Sequence, residues 1–489
     1  MKLKHRLLFF LIIVGMFALP AVNLHAAPHP NIILILADDI GYGDLSCHGN
    51  PILKTPNIDR LHREGARFTD FHVSPTCSPT RAALMTGRHE FKSGVTHTVF
   101  ERERLSLKAT TLAQTLRSAG YGTGIFGKWH LGDEDAYQPG RRGFDETFIH
   151  GGGVIGGFHP GSGGDVAGSS YFNPIVRHNG DFLPTSGYCT DVFFGQALKW
   201  METMKGSRPF FAYIPSNAAH LPLDCPPEYE KLYAGKVAPD VAKFFGMIAN
   251  IDDNVGRLLA KLTEWRIERD TLVIFINDNG GTVGVNVFNA GMRGSKGTPF
   301  LGGTRASSFW RWPGTFAPGD RRQLAAHMDV FQTLAELAGA KLSARVAADF
   351  DGRSLVPALR DSDAPWPDRY LFTHAGRWDR GGVTEAKYQG CAVRWRNFHA
   401  VIDGKGPGKS PRYTWELFDV DADPGEKTDI VLAHPEIVRQ LDAAYDAWWQ
   451  SIQPHLENEN AALPPVSAFN AAYREQFGGA AVGTTKDKP

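Results

Sequence analysis

Unbroken apolar runs alternate along this chain with stretches whose apolar residues recur at helical spacing. Residues 31–36, 121–126, 209–214 and 271–277 are runs of the first kind. Short runs without polar alternation predict strands covered on both faces, as in a parallel sheet. Between them, Thr55-Pro56 opens a helix that carries Ile58 and Leu61 and stops at Gly65. Leu112 and Leu116 mark another helix over 110–119, and 192–204, 241–265 and 327–338 read as longer ones. This alternation predicts an α/β fold with one large sheet flanked by helices. After about Pro365 the texture changes to β-like pieces at 370–374, 387–394 and 415–420, then an amphipathic helix at 437–452. These predict a smaller α+β subdomain over 365–464 and a loosely structured tail over 465–489.

Two strand runs end alike. The first closes on Asp38-Asp39 and the last on Asp278-Asn279. Ligands of open α/β sheets bind beyond the carboxyl ends of strands, although paired acids at a loop start also serve simply as solvated residues. The run at 121–126 delivers Lys128 and His130, the loop after 209–214 carries His220, and Lys296 comes later in a Gly-rich turn. Three carboxylates and an amide suit a hard divalent cation, Ca²⁺ in preference to Mg²⁺ where the site is roomy. No His or Cys pair has the spacing of a zinc site. In Thr76-Cys77-Ser78-Pro79-Thr80-Arg81, Ser78 reads as an N-cap and Pro79 as the first helical residue. Cys77 would then lie just before a helix N-terminus that favours an anion, with Arg81 one turn on. A buried cysteine beside an ordinary cap is the other reading of those residues.

Composition adds little to the chemistry and something to the compartment. With 489 residues, 42% hydrophobic and 21% charged, the chain has room for one large domain and a smaller one. Its formal net charge is zero, so nothing global points to nucleic acid or an anionic membrane, and anion affinity must be local. Lys2, Lys4 and Arg6, the apolar stretch 7–19 and Leu24-His25-Ala26 make residues 1–27 an export signal, which places the protein in a periplasm or outside the cell. The apolar stretch is short for a membrane anchor, and no span is expected in the mature chain. The five cysteines are dispersed and form no disulfide framework; pairing among Cys47, Cys189, Cys225 and Cys391 stays open. The Gly- and Ser-rich stretch 151–170 reads as a binding loop near the site.

Cys77-Ser78-Pro79-Thr80-Arg81 resembles the sulfatase signature Cys-x-Pro-Ser/Thr-Arg, whose cysteine is converted to formylglycine. Gly120 to Gly132 (GYGTGIFGKWHLG) resembles the second sulfatase signature. The similarity runs from about Asn31 to the 417–429 region. It implies an alkaline-phosphatase-like fold with the catalytic domain over 28–364. It also implies a maturation enzyme that makes formylglycine from Cys77, and a metal held by Asp38, Asp39, Cys77, Asp278 and Asn279. Carried over position by position, Arg81 and His130 orient the hydrated aldehyde, Lys128 and Lys296 bind sulfate oxygens, and His220 protonates the leaving oxygen. The expected substrate is a sulfated carbohydrate, galactose- or N-acetylgalactosamine-type first, with His97, Arg102, Arg104, His150 and His159 as substrate-binding candidates. The chain departs from the family pattern at Leu301, at Ala306-Ser307 and at Asn277, where a hydroxyl residue is common. A phosphomonoester or phosphonate hydrolase on the same scaffold is the alternative activity.

Overall fold

A computed structural model describes residues 29–157, 163–404 and 414–478; the segment 1–27 and His159 lie outside these. The core is a ten-stranded mixed sheet. Its five central strands are parallel and run, in spatial order, Thr271–Asn277, Asn31–Ala37, Phe210–Pro215, Gly122–Lys128 and Glu146–His150. Ser308–Arg311 adds antiparallel beside the first of these, and the hairpin Ile175–His178 and Asp181–Pro184 adds antiparallel beside the last. Ala66–Phe68 and Gly319–Arg321 complete the other edge.

The apolar runs are explained by the two faces of this sheet. Ile32, Leu34 and Leu36 join one hydrophobic cluster, while Ile33, Ile35 and Ala37 join the other. Both faces are covered, so both alternate sets must be apolar. Truncating one such side chain, for example Ile35→Ala, costs about 2–5 kcal/mol. Helices Pro56–Glu64, Cys189–Met204 and Pro239–Glu264 cover the second face. Helices Cys77–Thr86, Leu112–Ser118 and Asp329–Leu337 cover the first. No described helix is long and apolar enough to cross a membrane.

The C-terminal part is a four-stranded antiparallel sheet, Tyr370–His374, Cys391–Trp395, Phe398–Ile402 and Glu416–Asp419, backed by helix Pro435–Ile452. Its core is shared with the large domain, because Phe91 packs among Trp378, Trp448 and Trp449. Three elements differ from the sequence reading. The strand expected over 387–394 begins only at Cys391, after helix Val383–Ala386 and Gly390 at φ +73°. The piece Phe398–Ile402 was not expected at all. The tail is not loose throughout: Ser467 caps helix Ala468–Phe477, and buried Phe469 packs edge-on against Phe182. From that helix Asn470 grips the Gly-rich loop, donating to Asp165 O (2.6 Å) and accepting from Ala167 N (3.1 Å).

Candidate active site

All five central strands point their carboxyl ends the same way, so the residues just beyond them gather on one edge. Asp38 and Asp39 come after Asn31–Ala37, Asp278 and Asn279 after Thr271–Asn277, His220 lies on the loop after Phe210–Pro215, and Lys128 ends its own strand. Gly127 is required beside Lys128: it sits at φ +136°, and a Cβ there would meet Pro215 O at 2.0 Å. Asp39 and His130 each stand two residues past a strand end, and both have φ +58°. Such left-handed backbone in non-glycine residues is uncommon and clusters at functional positions.

The helix that carries Cys77 starts earlier than its sequence suggests. It spans Cys77–Thr86 with Thr76 as N-cap, so Cys77 is its first residue rather than the one before it. Ser78 does not cap: its hydroxyl donates to His130 O at 2.9 Å and ties the helix start to the second signature. The dipole argument for Cys77 survives, since its position is still in the first turn. Burial works to raise the Cys77 thiol, but Lys128 and Lys296 outweigh it and hold the thiol below its ordinary range.

Arg81, fully buried, bridges the two acidic strand tips. Its Nη2 lies 2.8 Å from Asp278 Oδ2 and 3.3 Å from Asp38 Oδ2, and its Nη1 donates to Lys128 O at 3.0 Å. Lys128 donates to Asp38, and Lys296 to Asp39 Oδ1 at 2.5 Å. Asn279 Nδ2 donates to the same Asp39 oxygen at 3.0 Å. Burial opposes ionisation of Asp38 and Asp39, but Lys128 beside the first and Lys296 beside the second keep both carboxyls low. Asp278 differs. Burial, with the Asp38 carboxylate next to it, pushes it up to about 8 despite Arg81.

The two histidines are set differently. Burial, then Lys128, lowers His130 well below the usual imidazole value, so it is neutral. Its Nε2 lies 2.6 Å from Thr98 O, which makes Nε2 the protonated nitrogen and leaves Nδ1 as an acceptor with no partner among the described residues. Gly153 leaves room for that ring, since a Cβ there would stand 2.7 Å from His130 Cε1. His220 turns Nδ1 to Leu221 O at 2.9 Å and Nε2 toward Asp39 Oδ2 at 3.7 Å.

Whether these residues fit a metal can be tested on their unsatisfied atoms. Asp38 Oδ1 and Asn279 Oδ1 are both buried without a hydrogen-bond partner among the described residues. Each such orphan costs about 1–3 kcal/mol. Asp38, Asp39 and His220 bring donor atoms within 4.8 Å of one another. Orphaned oxygens beside carboxylates fit a hard divalent cation. Away from this edge, Cys47, His48 and His62 also converge within 4.8 Å, a soft-ligand cluster that the sequence reading did not expect. None of the five cysteines forms a disulfide.

The outlying substrate candidates divide. His97 and Arg102 line a cavity at the boundary with the C-terminal part. Arg104 does not: its guanidinium is taken up by Glu134 and Glu101 and covers Tyr137. His150 is fully buried, with neither ring nitrogen hydrogen-bonded to a described residue, and its Nδ1 lies 3.7 Å from Asp165 Oδ2.

Several supporting residues escaped the sequence reading. Thr98 holds His130 through a backbone carbonyl, which no side-chain pattern reveals. Asn277 bridges the tip turn, donating to Asn279 O (3.0 Å) and accepting from Ser307 N (2.7 Å), so the departure there has its own partners. Glu426, from the Asp-Pro-Gly-Glu turn of the C-terminal part, accepts from Leu301 N at 2.8 Å and pairs with His399 at 2.7 Å. It thereby anchors the segment just after Lys296. Asn217 is buried with both amide atoms unpartnered among the described residues.

The family profile described as Sulfatase matches residues 30–340. The chain is 34% identical to "Arylsulfatase A" of Bos taurus, over 87% of this chain and 90% of that protein. It is 31% identical to "N-acetylgalactosamine-6-sulfatase" of Canis lupus familiaris, over 89% and 87% of the two chains. Among solved structures, Ps i-CgsB in complex with k-i-k-neocarrahexaose superposes with a TM-score of 0.77 at 27% identity, covering 92% of this chain and 98% of that one. With the profile spanning well over half of its length, the chain belongs to the sulfatase family, the hydrolases of sulfuric esters.

Proposed function

We propose that this protein is an exported sulfatase that removes sulfate esters from a sulfated carbohydrate, using formylglycine at Cys77 and a divalent metal, Ca²⁺ first. One observation carries the reading: Cys77 stands at a helix N-terminus facing Lys128, Lys296 and an acidic cluster in which Asp38 Oδ1 and the amide oxygen of Asn279 lack hydrogen-bond partners among the described residues. Asp38, Asp39, Asp278 and Asn279 would hold the metal. Metal and formylglycine together supply Lewis acidity and an oxygen nucleophile that an unmodified thiol lacks.

The chain's own residues do the rest. Lys128 and Lys296 grip sulfate oxygens as fixed cations, and Arg81 holds the first turn of the helix against the strand tips. His130, neutral with Nδ1 open, accepts a proton near Cys77. His220 would deliver one to the leaving oxygen, the step a poor alcohol leaving group needs most. A relative named for N-acetylgalactosamine-6-sulfate and a similar structure holding a neocarrahexaose support a sugar substrate.

The test is a desulfation panel of galactan, carrageenan, glycosaminoglycan and fucan oligosaccharides, beside nitrophenyl sulfate and matched phosphate esters. Turnover of a galactose- or N-acetylgalactosamine-type sulfate with Ca²⁺ is the expected result. Highest efficiency on phosphate or aryl esters, with no sugar sulfate turned over, contradicts it.

A further inference from the structure

The loop that holds His130 also lines a second cavity, of about 240 Å³, where the large domain meets the C-terminal part. Its walls include Phe100 and Arg102 from that loop, Arg377 and Arg380 beyond strand Tyr370–His374, and Glu459. At roughly 30 Å³ per water it has space for about eight of them, enough for a substituent of a sugar ring.

Arg102 is only 4% exposed. Its Nε donates to Thr96 Oγ1 (3.0 Å) and Glu459 Oε1 (3.1 Å), and its Nη1 to Trp378 O, yet Nη2 has no partner among the described residues. That Nη2 is itself buried, so Arg102 gives the cavity wall positive charge rather than an open N–H, and Glu459 spends its other oxygen on Trp378 Nε1 at 2.6 Å. Arg377 donates to Thr98 Oγ1 (3.1 Å) and Arg380 to Asn460 O (2.7 Å), and neither forms an ion pair with a described residue. Two guanidiniums thus face the cavity against one further acid, Asp379. On the rim, Phe100 is 42% exposed, a flat apolar face for a sugar ring. Phe100, Glu101 and Arg377 all hold left-handed backbone, at φ +66°, +62° and +63°.

The cavity is joined to the reaction site by one residue. Thr98 accepts from Arg377 through its hydroxyl and from His130 Nε2 through its carbonyl. We propose that it is a subsite for a second anionic group, a sulfate or a uronate carboxylate, carried on the same glycan chain as the ester being cleaved. This rests on the sulfated-carbohydrate reading and adds that the preferred substrate is multiply anionic.

The test uses full-length Cys77→Ala protein with Ca²⁺, so that binding is read without turnover. Calorimetry compares three probes: a multiply sulfated galactan hexasaccharide, a chondroitin sulfate hexasaccharide bearing uronates, and galactose 6-sulfate. At least one hexasaccharide should bind tenfold or more tightly than the monosaccharide. Adding Arg377→Ala and Arg380→Ala should abolish that advantage while galactose 6-sulfate binding confirms a folded site, and Arg377→Lys should keep part of it. An advantage held by the galactan, which carries no uronate, identifies sulfate, and one confined to the chondroitin sulfate oligosaccharide identifies the carboxylate. No advantage in the parent protein, or an advantage untouched by the double substitution, overturns the subsite. If unsubstituted enzyme desulfates no sugar but the advantage and its loss are both seen, the subsite stands and the turnover reading falls.

Discussion

Strands Asn31–Ala37 and Thr271–Asn277 lie side by side in register, Ala37 opposite Asn277, and each hands two oxygen-bearing side chains to the same edge. Their first carboxyls nevertheless settle in different states. Asp38 is hydrogen-bonded by Lys128 as well as Arg81 and stays low, while Asp278 is hydrogen-bonded by Arg81 alone, feels Lys128 only through space and takes the repulsion of Asp38, rising to about 8. The local sequence is nearly the same at both tips. What separates them is the ammonium brought by a third strand, two places away in the sheet order. Charge at such an edge is assigned by the assembly of elements, not by the turn that carries it.

The comparison is broken most simply by removing either tip. Asp38→Ala and Asp278→Ala should each lower kcat/KM on a sulfated sugar by about 10⁴-fold, since a Lewis acid contributes several kcal/mol and each 1.36 kcal/mol is tenfold. Atomic spectrometry should find no bound Ca²⁺ in either, and chelator-treated parent enzyme should match them. Full activity in one of the two would show that the tips do not act as a pair. His220 serves only the first tip, through Asp39. His220→Ala should cost about 10³-fold on a sugar sulfate and far less on nitrophenyl sulfate, whose leaving group needs no proton. Equal losses on both esters would assign His220 to binding.

Arg81 is what the tips share. Lysine cannot span Asp38, Asp278 and Lys128 O together, so Arg81→Lys should lose about 10²-fold in kcat/KM. A loss under threefold would show that the bridge is dispensable. The smallest effect concerns the floor beneath both turns. Asp44 accepts from Gly41 N at 2.8 Å, after the first tip, and lies against Gly281 and Gly284, after the second. Burial pushes its carboxyl up to about 7 from an ordinary 3.8. The folded state therefore holds a proton that the unfolded state has released, and this contribution to stability is lost as pH rises through about 7. Asp44→Asn should match the parent near pH 4, where both states keep the proton, and melt several degrees higher near pH 8 by differential scanning calorimetry. Parallel melting curves at both pH values would contradict the buried-acid account.

The sheet and the edge residues were legible because their signals are local and strong: double-faced apolar runs, Thr55-Pro56, and two uninterrupted signatures. The start of the helix that carries Cys77 differs from its sequence signal because Ser78 spends its hydroxyl on His130 O, a partner 52 residues away. The hairpin Ile175–His178 and Asp181–Pro184 carried a readable sign, Asn179-Gly180, whose φ values of +50° and +111° are those of a tight hairpin turn. In the tail, Phe469, Tyr473 and Phe477 at four-residue spacing after Ser467 were also readable as a helix. The roles of Thr98, Glu426 and Arg377 were not, because each depends on which loop the fold lays beside it.

Burial of Cys77 has a temporal consequence. Its side chain is 2% exposed and enclosed by residues from four strands, among them Asp278, some 200 residues further along the chain. At a synthesis rate of ~5–20 residues per second, Cys77 emerges ~10–40 s before the strand that seals it. Any enzyme that alters this cysteine must act before that strand closes over it or hold the chain open. The pocket is thus a kind of deadline: a cysteine missed before closure is shut behind its own lysines.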